Sequence, residues 1–279
     1  MISDPDSAIP KTIYSMWAQG FDQAPPTVRM CLARWATLNP EYELRILQQA
    51  DVDQLLVDVA IDRRVLPPQA LSDILRARVL LTQGGVWVDA SVYPVRPLRD
   101  WLPKFTRRGG FFAFDKPEPD RPLSSWFMAA ASGHYLLERW WQEIERYWAK
   151  PRTLARYRDA SIPDPGQIPP DPVREVAADG GASSDTYPYF WFHYLFAYLL
   201  ERDAEFAAHW GRCTKRAATP THRLLHLFGF DGRPAPAWVE EAMRGAPVHK
   251  LTWRRDYPID LFETICRAII AGKAAIRAA

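Results

Sequence analysis

The chain has 279 residues, 48% of them hydrophobic and 24% charged, and a net charge of only +2. This is the composition of a globular protein long enough to bury a large core, and it lacks the block of basic charge that marks a nucleic-acid binder. Cys31, Cys213 and Cys266 are widely spaced and form no Cys-x-x-Cys pair, which argues against a disulfide framework or a cysteine zinc site and fits a reducing compartment. Met1 to Asp6 is acidic and has no apolar core of a signal peptide. The most apolar stretch, Tyr189 to Leu200, is interrupted by His193 and falls well short of the roughly 20 residues of a membrane span. A cytoplasmic protein is the expectation. Aromatic residues are abundant, with 12 Trp, 13 Phe and 11 Tyr, which predicts a rigid core, stacking surfaces for flat ligand faces, or both.

Lys11 to Trp17 reads as a first strand. Pro25-Pro26 opens a helix in which Val28, Cys31, Leu32, Trp35 and Leu38 recur at helical spacing, and Asn39-Pro40 stops it. Tyr42 to Leu47 reads as a second strand, so the opening is a parallel βαβ unit. Asp51 and Asp53 stand at the start of the next helix, where acids favour the positive end of the dipole. Leu66-Pro67-Pro68 opens a helix that runs to Gln83 and ends at Gly84-Gly85. Val86 to Val88 is a short apolar strand leading to Asp89. Strands are expected at Phe111 to Phe114 and Trp126 to Ala131, and a helix over Tyr135 to Tyr147. Ile162 to Pro172 is proline-rich and reads as a long loop with the character of a lid or insertion. Helices follow at 189–202, 234–243 and from Leu261 onward, with one late strand at Val248 to Trp253. No internal repeat is visible.

Ala70 to Leu98 carries the chemistry. Asp73 and Arg76, three apart, share one face of their helix. Asp89 ends a strand, and ligands of open α/β sheets bind beyond the carboxyl ends of strands. A carboxylate there is suited to a divalent cation that grips a diphosphate, and the planar fork of Arg76 to a phosphate or a sugar hydroxyl. A surface ion pair is the plain alternative for Asp73 and Arg76, and the Gly-Gly, strand, Asp order weighs against it.

Ser72-Asp73-Ile74-Leu75-Arg76 followed by Gly84-Gly85-Val86-Trp87-Val88-Asp89 resembles the capsular polysaccharide synthesis proteins, relatives of the D-x-D sugar-binding glycosyltransferases. The resemblance extends to Ile9-Pro10-Lys11, Trp17-Ala18-Gln19-Gly20, Ser124-Ser125-Trp126-Phe127, the aromatic run Tyr189 to Tyr194, and His249-Lys250-Leu251-Thr252. It implies a GT-A glycosyltransferase-like α/β fold, a Rossmann-like nucleotide-binding sheet with a helical, aromatic-rich C-terminal half. Residues 9–115 would form the nucleotide-sugar half, 116–259 the acceptor side and 260–279 an amphipathic C-terminal helix. The implied activity is transfer of a hexose, with retention, from a UDP- or GDP-linked sugar to a polysaccharide or lipid-linked glycan in bacterial capsule synthesis. Family-like roles place Trp17 and Gln19 near the base, Asp73 and Arg76 near the donor sugar and phosphates, and Asp89 at the ribose and metal. Lys250 is expected to stabilise the leaving diphosphate. A manganese or magnesium ion is the implied cofactor, with Asp89, Ser91 and His249 as ligands.

Asp89-Ala90-Ser91 departs from D-x-D, and a serine hydroxyl is a poorer metal ligand than a carboxylate. Literal D-x-D occurs at Asp4-Pro5-Asp6 and Asp51-Val52-Asp53, but neither follows a strand. His222 and His226 lack the intervening Glu of a zinc protease, and His193 reads as a hydrogen-bonded core residue. For His249 and Lys250 a plain surface position weighs equally with a role in the site. Asp115, Glu118 and Asp185 are all open as nucleophile or base. In the C-terminal helix, Leu261, Ile265, Ile269 and Ile276 share a face that fits either an anionic membrane surface or, more commonly, the protein's own core. A non-catalytic nucleotide-sugar or glycan-binding protein is the alternative function. A nucleotidyltransferase ranks lower, because residues 18–22 contain no basic side chain.

Overall fold

The structure is a computed structural model that describes residues 8–17, 19–61, 66–154, 176, 185–230 and 232–277. Strand β1 (Thr12–Met16), helix α1 (Pro26–Leu38) and strand β2 (Glu43–Leu47) form the expected βαβ unit, with Thr12 opposite Glu43 and Met16 opposite Leu47 in parallel register. A short helix α2 (Gln49–Leu55) follows, and Asp51 is the third residue of its capping box with Gln48. Asp51 therefore caps a helix, as its position predicted. Helix α3 (Pro68–Gln83) then leads into β3 (Gly85–Val88), which pairs parallel with β1.

The next two strands of the sheet are longer than the sequence indicated. Strands β5 (Phe111–Glu118) and β6 (Arg121–Ala130) make an antiparallel hairpin, and β6 pairs antiparallel with β3. The sheet order is β2-β1-β3-β6-β5, so β6 alone runs against the rest. β3 is buried at every residue, which is why it reads as a continuous apolar run rather than an alternating one. Trp87 packs on one side with Ile74, Leu75 and Leu80 of α3, while Val86 and Val88 pack on the other with Trp35 and Phe127.

Helix α5 (Tyr135–Tyr147) begins and ends where its pattern predicted; the short α4 (Leu102–Thr106) precedes it. After the Pro-rich stretch, which lies outside the described residues, come α6 (Trp191–Arg202), α7 (Ala204–Arg212), α8 (Thr219–Phe230), α9 (Pro236–Gly245) and α10 (Ile259–Arg277). Trp140 of α5 stacks on Phe192 of α6 with ring centroids 3.9 Å apart, and its indole nitrogen donates to the Phe192 carbonyl. The aromatic wealth of this half is thus core packing first. Helix α7 carries a legible start, since the Asp203 carboxylate accepts from the Phe206 N–H at 2.9 Å. The apolar face of α10 as far as Ile269 is taken by the protein itself: Phe262, Ile265, Cys266 and Ile269 are buried against Tyr93, Phe228 and Tyr257, and the Ile276 side chain lies outside the described residues. No helix among the described residues is long and apolar enough to cross a membrane.

Two short pairings complete the described fold. β7 (Thr153–Leu154) lies parallel to β8 (Thr186–Tyr187). β4 (Val92–Pro94) pairs antiparallel with β9 (Val248–Lys250), the core of the predicted late strand, with Val92 opposite Lys250. β9 ends at Lys250, after which the Leu251 N–H donates to the Ser91 carbonyl at 2.9 Å. Trp35 anchors β4 from α1, donating its indole N–H to the Val92 carbonyl at 2.8 Å.

The turn from α3 to β3 needs its two glycines. Gly84 has φ +68° and Gly85 φ +109°; a Cβ would lie 2.6 Å from the Ser132 nitrogen at Gly84 and 2.7 Å from the Thr12 carbonyl oxygen at Gly85. Both obstacles are backbone, so no side-chain shift relieves them. We expect Gly85→Ala to destabilise the protein by about 2 kcal/mol or more, measured as a lower urea midpoint at unchanged slope; an unchanged midpoint would show that the turn tolerates a side chain.

Candidate active site

Helix α3 delivers Asp73 and Arg76 to the carboxyl end of β3. Arg76 is only 5% exposed, and a buried guanidinium is tolerated only when its donors are met. Its Nη1 donates to Ser125 Oγ at 2.6 Å and lies 3.2 Å from Asp73 Oδ1. Its Nη2 lies 3.2 Å from Asp89 Oδ1 and donates to Ser72 Oγ at 3.1 Å, while Nε donates to the Ser72 carbonyl. The guanidinium also sits 5.3 Å from the ring centroid of Trp87. The sequence pattern therefore brings Asp73, Arg76 and Asp89 together, and adds Ser125, which a motif reading did not single out as a site residue.

Asp89 is held from three directions. Its N–H donates to the Trp126 carbonyl at 2.9 Å, which fixes the backbone. Oδ1 faces Arg76 and accepts from Trp87 Nε1 at 3.1 Å. Oδ2 accepts from Lys250 Nζ at 2.9 Å, and the same ammonium donates to Ser91 Oγ at 2.9 Å. The β4–β9 pairing makes this possible by setting Lys250 beside the Asp89–Ser91 turn across 161 residues of sequence.

The two carboxylates respond oppositely. Burial raises the Asp73 carboxyl, Arg76 opposes the rise, Asp89 adds to it, and the result is a pKa of about 7. Burial also favours the neutral form of Asp89, but Lys250 and Arg76, with hydrogen bonds from Lys250 and Trp87, outweigh it and hold that carboxyl well below the usual range. With Asp73 protonated, two cations face one anion, and the cluster is complementary to a negatively charged ligand.

Other expected residues lie differently. His249 is not brought to Asp89. It neighbours Lys250 on a strand, where successive side chains face opposite sides, and its fully buried ring lies against the backbone of Met243 and Thr221. Burial pushes its pKa down to about 3. Trp17 follows β1, with its indole nitrogen buried and unpartnered among the described residues, and makes an edge contact with Trp253 at 5.7 Å; Gln19 is exposed. His193 is buried, as expected, but its Nδ1 has no hydrogen-bond partner among the described residues. Burial, then Arg121 and Arg76, lower its pKa to about 3, so the ring is neutral. The Tyr187 hydroxyl, without a hydrogen-bond partner among the described residues, completes this margin; burial and the charge of Asp73 raise it to about 12. His193 lies within the aromatic run Tyr189 to Tyr194 that the family resemblance covers, whereas Tyr187 lies in no pattern that signals a site. Asp185 pairs with Lys150 at 3.1 Å and Glu118 with Arg121 at 3.9 Å. His222 Nδ1 lies 3.1 Å from the Ala218 carbonyl oxygen.

A divalent cation of the magnesium or manganese type prefers several oxygen ligands. Here Asp89 Oδ2 and Ser91 Oγ both accept from Lys250, and Oδ1 is taken by Arg76 and Trp87. Among the described residues no group of three or more His, Cys, Asp or Glu is placed to hold a metal. The side chains around Asp89 do not fit a divalent cation.

Residues 3–158, more than half of the chain, match the family described as capsular polysaccharide synthesis protein, and the chain belongs to that family. It is 24% identical over 161 residues to the initiation-specific alpha-1,6-mannosyltransferase of Candida albicans, covering 48% of this chain and 42% of that one. To the O-glycosyltransferase braB of Annulohypoxylon truncatum it is 22% identical over 158 residues, covering 50% and 38%. The chain thus spans less than half the length of these relatives. A solved glycosyltransferase involved in glycosylation of the major capsid of PBCV-1 overlays with a TM-score of 0.36 at 12% identity, covering 91% of this chain and 98% of that one.

Asp73 supplies a pH test. Its folded pKa of about 7 lies above the ordinary carboxyl value of 3.8. Between those values the folded state holds a proton that the unfolded state has released, so stability falls as pH rises through this window. The contribution is at most about 1.4 kcal/mol per pH unit. Asp73→Asn removes this loss. Relative to wild type, the variant should gain stability between pH 5 and pH 8 in urea titrations; a difference that does not change with pH would show that Asp73 is ionised throughout.

Proposed function

We propose that this protein transfers a hexosyl unit from a nucleoside-diphosphate sugar to a hydroxyl of a glycan or lipid-linked acceptor. The observation that carries the reading is the cluster of Arg76, Asp89 and Lys250 at the carboxyl end of β3, in which a guanidinium and an ammonium converge on one carboxylate. The acceptor hydroxyl oxygen forms a bond to the anomeric carbon on the face from which the bond to the phosphate oxygen breaks, and its proton passes to the departing phosphate oxygen. The departing diphosphate takes the electron pair. Lys250, fixed at the site before reaction, is placed to stabilise that charge. Arg76 holds Asp89, and Asp89 holds Lys250.

In this reading the base of the nucleotide lies towards Trp17 and Trp253, where an indole N–H and an aromatic edge are available. His193 and Tyr187, with polar atoms unpartnered among the described residues, serve sugar hydroxyls. The name of the Candida albicans relative supports a hexosyl donor, and the family description supports a role in surface-polysaccharide synthesis. Retention follows the wider group that the sequence resembles.

Titration calorimetry with UDP and GDP tests the site. One of them should bind with a stoichiometry of one, and Lys250→Ala should weaken binding about ten- to a hundredfold, the worth of a hydrogen bond to a charged group. Failure of both to bind at millimolar concentration would contradict the reading. Release of free hexose or a glycosylated product from the matching nucleotide sugar separates an enzyme from a binding protein.

A further inference from the structure

We propose that the ammonium of Lys250 takes the place of the divalent cation, so that donor binding needs no metal. The inference rests on the reading that a nucleoside diphosphate binds beside Asp89. Its observation is geometric: one nitrogen lies 2.9 Å from Asp89 Oδ2 and 2.9 Å from Ser91 Oγ. These are the first and third side chains of the segment in which D-x-D relatives carry two acids. The cation's position between them is filled by the protein's own chain.

Three features make this a built arrangement rather than a chance surface pair. The first is its anchoring. Lys250 lies opposite Val92 in the β4–β9 register, and the adjacent Leu251 N–H donates to the Ser91 carbonyl at 2.9 Å. The lysine and the turn it grips are parts of one hydrogen-bonded unit.

The second is charge. A pair of acids at positions 89 and 91 would call for a doubly charged ion. Ser91 leaves a single carboxylate, which one ammonium neutralises, while the hydroxyl accepts a hydrogen bond without adding charge. The serine that weakens a metal site thus suits a lysine site. Arg76 supports Asp89 from its other oxygen.

The third is donor count. An ammonium has three N–H donors, and two are directed at Asp89 and Ser91. The side chain is 23% exposed, so the third remains for a phosphate oxygen. Lys250 therefore binds acceptors on the protein and on the nucleotide together, the bridging role a cation has in a D-x-D site.

Two measurements test the proposal. In the first, wild-type protein is titrated with manganese and free Mn2+ is followed by electron paramagnetic resonance, which requires neither turnover nor nucleotide. No tight equivalent should bind. One tight equivalent that disappears in Asp89→Asn would overturn the proposal. In the second, UDP and GDP affinities are measured in chelator and in millimolar manganese. They should agree within twofold for wild type, and a tenfold loss in chelator that manganese restores would overturn the proposal. The double variant Lys250→Ala, Ser91→Asp removes the ammonium and restores the second acid; it should gain a manganese equivalent and bind nucleotide at least tenfold more tightly with the ion than without. Should neither nucleotide bind wild type under either condition, the donor-site reading fails, and the manganese titration alone still decides whether Lys250 excludes the ion.

Discussion

Arg76 can be buried only because the surrounding chain satisfies it, and much of the site follows from that constraint. Its donors reach two serines and two carboxylates contributed by α3, β6 and the turn that follows β3. Those elements must meet at one distance and one angle, and the Gly84-Gly85 turn between α3 and β3 permits the approach. A guanidinium with any of these partners removed would keep its charge but lose its compensation, which is costly in a buried setting. The same contacts that order the sheet edge also place Asp89.

From Asp89 the order passes to Lys250. The β4–β9 pair, only three residues on each side, closes the site across most of the chain's length. It is anchored on one side by Trp35 of α1 and continued on the other by Leu251. Opposed charges and fixed backbone give the ammonium a position before any ligand arrives. Preorganised charge of this kind stabilises a developing anion without reorganisation during the reaction.

Local chemistry made the first half of the site legible. Helical spacing, a Gly-Gly stop and a short apolar strand located Asp73, Arg76 and Asp89, and the Asp51–Asp53 pair was separable as helix capping by its place at a helix start. Long-range register was not legible. β4 is three residues long and ends in Pro94, too short for a periodic signal, so nothing in the sequence placed Lys250 at Asp89 Oδ2. For the same reason His249 and Lys250 stood as equals in a motif, although neighbours on a strand face opposite ways. The structure separates them: Lys250 faces the carboxylate and His249 the core. Tyr187 follows a Pro- and Ser-rich stretch without periodicity, and its proximity to Asp73 is visible only in three dimensions.

On the proposed function, Lys250 receives a diphosphate while remaining paired with Asp89. A crystal structure of the protein with bound nucleoside diphosphate tests it most directly. A phosphate oxygen should lie within hydrogen-bond distance of Lys250 Nζ, with the contacts to Asp89 and Ser91 retained. A diphosphate bound away from β3, or a Lys250 displaced from Asp89 by a metal ion, would contradict it.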